Sequence, residues 1–150
     1  MSDESESATE VSAVPGWFWA AAVAALLFEM LGCFFYLVEV RMTAVDIAAL
    51  PLDQRAMLEA RPSWFYATFA IAVWVGLVGA IGLLLRKAWA GPLLLASMIA
   101  AIVQFSSIVI VPEMREATPS DALAVPVVII VCCYGIWQLA RLASRRGWLR

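Results

Sequence analysis

Histidine is absent from this 150-residue chain, which removes the commonest metal ligand and the side chain best suited to shuttle protons near neutral pH. Charge is scarce as well: Asp, Glu, Lys and Arg make up 15% of the residues, against roughly a quarter in an ordinary soluble domain. The basic residues are too dispersed to track a polyanion, so nucleic acid is excluded as a partner. Cysteine is limited to Cys33, Cys132 and Cys133, all inside apolar stretches and two of them adjacent. They read as small packing residues and not as a disulfide framework. The remaining polar residues assemble no nucleophile–base pair and no ligand cluster, so no enzyme activity, metal or cofactor is expected.

What the chain has instead is apolar length. Hydrophobic residues account for 64% of it, and mean hydropathy is +0.89. The opening "MSDESESATEVSAV" is acidic and polar, without Lys or Arg. It reads as a disordered tail over residues 1–14 and lacks the basic start of a secretory signal. Four long apolar segments follow, over about residues 17–40, 63–85, 89–111 and 123–142. Each reaches the roughly 20 residues needed for a helix to cross a ~30 Å hydrocarbon core. Trp17, Trp19, Trp64, Tyr66, Trp89 and Trp148 lie at or beyond segment ends, where amphipathic rings favour the headgroup level. Pro15, Pro62 and Pro92 lie near segment starts, where a missing N–H costs nothing. The expected fold is all-α: a four-helix transmembrane bundle in a bacterial inner membrane, with the lipid bilayer as its first partner.

Four spans put both termini on one side, together with the short connection holding Arg86 and Lys87. That side also carries Arg141, Arg145, Arg146 and Arg150, whereas the other has Arg41, Arg55, Arg61 and Arg115 with several acids. The excess of basic residues on the first side predicts cytoplasmic termini. In the long connection between spans one and two, Leu52, Ala56, Met57 and Ala60 fall on one helical face. This predicts a short amphipathic helix over about 51–60, lying on the outer surface as a cover for the bundle or as a docking element.

Two polar positions and one stripe of small residues stand out. Glu29 lies about twelve residues beyond Trp17, near the bilayer midplane at ~1.5 Å of rise per residue. Ala22, Ala25, Gly32, Cys33 and Tyr36 share its face, a small-residue surface that should turn the carboxyl group towards protein. On span three, Ser97, Ala100, Gln104 and Ser107 share a face. Counting from Pro92 predicts Gln104 at the depth of Glu29 and within hydrogen-bonding reach of it. In span two, Gly76, Gly79 and Gly82 recur at every third residue; with Gly32 they predict close helix packing, within one chain in preference to a dimer seam. Glu29 then has two readings. It is a titrating group that couples a proton to solute movement, or a protonated residue bonded to Gln104 and serving only cohesion.

The stretch "RPSWFYATFAIAVWVGLVGAIGLLLRKAWAGPLLLAS" and the ending "ASRRGWLR" resemble a group of small four-span bacterial membrane proteins loosely labelled as sugar transporters. The likeness rests on the Pro62–Trp64 start, the run through Trp74 to Gly79, the Leu–Leu–Arg exit and the Trp89–Ala90 restart, and it covers most of the chain beyond the tail. That group tends to carry an asparagine near the Glu29 position and an acid where this chain has Phe35. The resemblance implies small-solute transport and carries over no binding residue. Two functions are thus expected: a small-solute transporter working as a homo-oligomer, with Glu29 as the titrating group and Gln104 beside it, or a non-catalytic subunit that docks another membrane protein. The resemblance favours the first.

Overall fold

The computed structural model describes residues 13–150, and no strand occurs among them. In chain order the helices are α1 (Gly16–Val40), α2 (Ala44–Ala48), α3 (Leu52–Glu59), α4 (Trp64–Leu84), α5 (Ala90–Ile110), α6 (Pro112–Ala117) and α7 (Ala124–Arg145), with a single 3-10 turn at Ser120–Leu123 leading into the last. Apart from its final two positions, the acidic tail expected over 1–14 lies outside the described residues.

Each expected span is present as one long helix, and all four are apolar and long enough to cross a membrane. The largest boundary difference is at the end of α7, which runs to Arg145. A Gly-terminated cap stops it there. Gly147 adopts a left-handed φ of 68°, its N–H donates to the Ser144 carbonyl at 3.0 Å, and the Trp148 N–H donates to the Ala143 carbonyl at 2.9 Å. This is the paired-bond motif by which a left-handed residue closes a helix.

The long helices run up, down, up and down. α4 packs against both α1 and α5, α5 packs against α7, and α1 and α7 make only slight contact. Small residues govern the close pairs, because lipid gives apolar side chains no reason to leave it and helices associate by fit. An added Cβ at Gly79 would lie 2.8 Å from Leu94 Cγ, one at Gly82 would lie 2.5 Å from the Trp89 ring, and one at Gly32 would lie 3.0 Å from Val73 Cγ1. The glycine stripe is therefore filled by neighbours from the same chain. Outward faces are apolar throughout: Leu27, Val109, Ile110 and Val131 are all more than half exposed. So much contiguous apolar surface is suited to hydrocarbon and not to water. The chain is an integral membrane protein.

The connections depart from expectation in three ways. First, α2 adds a helix to the first connection. It is nucleated by Thr43, whose hydroxyl oxygen accepts from the Asp46 N–H while the Asp46 carboxylate accepts from the Thr43 N–H at 2.8 Å. These bonds, the backbone one foremost, hold the Asp46 carboxyl below the usual carboxylate range. Second, α3 is present, but its inner face matches the expected one only in part, at Met57 and Ala60. Leu52 is 83% exposed and Ala56 is exposed, while Met57, Leu58 and Ala60 are partly buried. The reason is that α3 leans on α6, an unforeseen helix begun by Pro112. Third, Trp148 is not an exposed interfacial ring: it is 3% exposed.

Trp148 anchors a clasp at the end of the bundle that carries the termini. Its ring meets Trp17 and Phe18 edge-on, at centroid distances of 5.7 and 5.6 Å. The Arg86 guanidinium donates to its carbonyl at 2.8 Å. The backbones exchange two further bonds, Arg150 N–H to the Arg86 carbonyl at 2.7 Å and Ala88 N–H to the Arg150 carbonyl at 3.0 Å. Arg86 itself holds φ at 56° to close α4 by the same two-bond motif, with Lys87 N–H donating to the Gly82 carbonyl. Two helix caps thus lock together over a core of Phe18, Ala22, Leu83, Leu94 and Ala140. Replacing Trp148 by Ala should cost about 3 kcal/mol, and replacing Gly147 by Ala about 1 kcal/mol through the strained φ. Thermal unfolding in detergent checks both, with the larger fall in midpoint expected for W148A.

Candidate functional site: an intramembrane cavity at Glu29

Helical spacing turns Glu29 inward. Ala22, Ala25 and Cys33 on its face are buried, and Glu29 itself is 4% exposed. Opposite it, α4 presents Gly76. An ideal Cβ there would overlap the Glu29 carboxylate, lying 2.6 Å from its Cδ, and would also lie 2.6 Å from Ser97 Oγ. The missing side chain is the niche that admits the Glu29 head. Ser97 closes the niche from α5 and is itself tied down, its hydroxyl donating to the Ala72 carbonyl at 2.6 Å. Cys33, one turn along α1, lies 3.4 Å from the Val73 carbonyl and fixes the α1–α4 register just beyond the niche.

Gln104 is likewise buried, at 4% exposure, and its face-mates Ser97, Ala100 and Ser107 are buried with it. No hydrogen bond joins it to Glu29, and neither side chain bonds to any other group among the described residues. The cause is stagger. Glu29 lies about thirteen residues into α1, whereas Ser97 beside it lies about seven into α5, so α1 starts about 9 Å further out at the terminal end. Gln104, two turns beyond Ser97, therefore lies about 10 Å above the carboxylate along α5. Counting from the helix starts placed the two at one depth; the packing does not.

Both residues nevertheless line a single cavity of about 470 Å³. Its walls come from α1, α4, α5 and α7, including Phe28, Phe35, Phe65, Phe69 and Phe105, with Val125, Ile129 and Cys133 on α7. It opens sideways where α1 and α7 fail to meet, since Leu31, Phe35 and Val125 line it and are each more than half exposed. At the end away from the termini it reaches an ion pair between Arg61 and Glu39. The guanidinium approaches both carboxylate oxygens, at 2.5 and 3.3 Å, and lies 4.5 Å from the Phe65 ring centre. At the other end Glu29 and Ser97 line its floor, with the clasp core beyond them towards the termini.

The arrangement is a pocket of ligand size with an apolar wall and few polar groups. Beside the Cys133 thiol, its ionisable groups are two carboxyls and one guanidinium, of which Glu39 and Arg61 pair with each other. No group of three or more acids and cysteines is placed to hold a metal ion among the described residues, and all three cysteines are free. Glu29, Gln104 and the Gly76 stripe were legible in the sequence, whereas the Glu39–Arg61 pair and the phenylalanine wall were not foreseen. A signal for the pair was present: an acid ending one span and a base just before the next lie at the same membrane face, where they can pair.

No protein-family model matches the sequence, and comparison with curated proteins and with solved structures returns no match. The functional reading therefore rests on the site itself. If Gly76 houses the Glu29 head, Gly76→Ala should destabilise the protein by about 1–3 kcal/mol through overpacking. Gly135→Ala on α7, where an added Cβ meets nothing within 4 Å, should leave the unfolding midpoint unchanged or slightly raised. The same unfolding series checks the contrast.

Proposed function

We propose that this protein is a small-solute transporter in which the cavity holds the solute, Glu29 carries the coupling proton and Gln104 contacts the solute. One observation carries the reading: two buried polar side chains line a ligand-sized cavity without a protein partner for either. A residue kept for cohesion alone would be bonded to a neighbour, because a membrane offers little else to satisfy it. An intramembrane carboxyl group without such a bond is suited to exchange a proton with whatever fills the space beside it.

Transport also needs two alternating openings. In this reading the gap between α1 and α7 and the Glu39–Arg61 end form the open side of the cavity, and the packed core of Phe18, Leu83, Leu94 and Trp148 lies as a seal between Glu29 and the terminal end. In this proposal the clasp is the closed gate, and a second arrangement loosens it while α1 closes on α7. The solute site is built by one chain, so a homo-oligomer is required only if the route past the gate is shared between copies. The excess of Arg and Lys at the terminal end supports cytoplasmic termini in a bacterial inner membrane, which makes the described state outward-open.

Reconstituted protein should show solute-dependent proton movement for at least one member of a panel of sugars, amino acids and amines. Glu29→Gln should abolish that movement while leaving the unfolding midpoint within a few degrees of wild type. Absence of flux across the panel, with folded protein in the vesicles, would overturn the proposal. Orientation is checked separately: a cysteine introduced near residue 48 should react with an impermeant thiol reagent from outside intact cells, and one beyond Arg150 should not.

A further inference from the structure

The walls of the cavity specify the charge and shape of the solute. This inference rests on the reading of the cavity as a solute site and goes beyond it. The polar groups at its far end are already spent, because Arg61 is held by Glu39 through both carboxylate oxygens. What remains is one acid at the floor, Glu29, with no cation left over to balance it, since Arg61 is paired with Glu39. An ionised carboxylate buried without a counter-charge is costly, and a cation that reaches it recovers that cost. The surrounding surface is apolar and rich in aromatic residues: Phe28, Phe35, Phe69 and Phe105 line the wall. Aromatic faces attract organic cations and repel anions. A sugar, polar on every edge, would leave hydroxyl groups unpaired against those rings.

We propose that the cavity binds an amphipathic organic monocation, its charged head at the Glu29 carboxylate and its apolar body among the phenylalanine rings, admitted through the gap between α1 and α7. Binding to a protonated site releases one proton from Glu29, because the carboxyl group cannot hold the proton and pair with the cation together. Other titratable neighbours do not compete for this role. On α1 they are Glu39, which is engaged with Arg61, and the thiol of Cys33; on α7 it is the thiol of Cys133; the cavity-lining residues of α4 and α5 include none. Gln104 lies about two turns above the head group, where its amide can meet a polar substituent of the body.

The test uses the full-length protein in lipid nanodiscs with radiolabelled tetraphenylphosphonium, whose charge does not titrate, and tetraphenylborate, which has the same shape and the opposite charge. Tetraphenylphosphonium should bind saturably, and Glu29→Gln should weaken it about tenfold or more, while Glu29→Asp retains most of the affinity. Cation binding should weaken as pH falls, because protons compete for the same carboxylate. Tetraphenylborate needs no variant and should show no saturable binding. Val125→Trp, at the gap, should slow loading of the cation, and an unchanged rate would overturn the lateral route. Equal affinity of wild type and E29Q for the cation, or saturable binding of the borate, would overturn the charge assignment. Radiolabelled sucrose separates the two levels of the reading. If sucrose alone binds and loses binding in E29Q and Gln104→Ala, the solute site stands and the cation class fails. If none of the three probes binds saturably, both fail.

Discussion

A carboxyl group near the middle of a bilayer must be housed by protein, and the rest of this structure is arranged around that constraint. Glu29 needs a neighbouring backbone close enough to admit its head, and only a glycine allows such an approach at that point on α4. Gly76 therefore fixes how α1 and α4 meet. Ser97, bonded to the Ala72 carbonyl, brings α5 to the same level. Three helices are thus registered on one side chain, and their small residues carry the contact upward and downward from it. Lipid supplies no hydrophobic drive for that association, so shape decides it.

The fourth helix completes the site by failing to complete the bundle. α7 packs on α5 and scarcely on α1, and the two meet through the core at the terminal end, where Ala140, Ala143 and Trp148 join Phe18 and Ala22. Beyond that core they diverge, and the cavity occupies the space between them. Small residues mark the closed end, where Ala140 and Ala143 of α7 join Phe18 and Ala22 of α1, and large rings of α1 and α4 line the cavity beyond it. The Glu39–Arg61 pair lines the far end of the cavity. Mostly shielded from water, with side chains 14% and 24% exposed, and with Arg61 resting on Phe65, it is better placed to contribute than a fully exposed surface pair.

Much of this was legible in the sequence, for identifiable reasons. Span number follows from apolar length, and inward faces follow from helical spacing, so Glu29, Gln104, Cys33 and Ser97 were each assigned to the correct side of a helix. Relative depth was not legible. Stagger between helices is set where Gly76, Glu29 and Ser97 interlock, not by distance from Trp17 or Pro92, and this is why the expected Glu29–Gln104 bond is absent. The inner face of α3 was legible only in part, at Met57 and Ala60 but not at Leu52 and Ala56, because its partner, α6, was not foreseen. Trp148 looked interfacial because no local pattern reveals that a helix cap will fold a ring back onto α1. The capping signal at Thr43–Asp46 was available in the sequence and passed over.

The central claim is that Glu29 is unpaired and reachable from the lipid side. The most direct test is treatment of membranes with dicyclohexylcarbodiimide, an apolar reagent that adds to protonated carboxyl groups, followed by mass mapping of the acids. The expected result is selective modification of Glu29, with Glu39 spared by its ion pair, and protection of Glu29 when a tryptophan at position 125 fills the gap. An unmodified Glu29 in folded wild-type protein, under conditions that modify other carboxyl groups, would contradict the account.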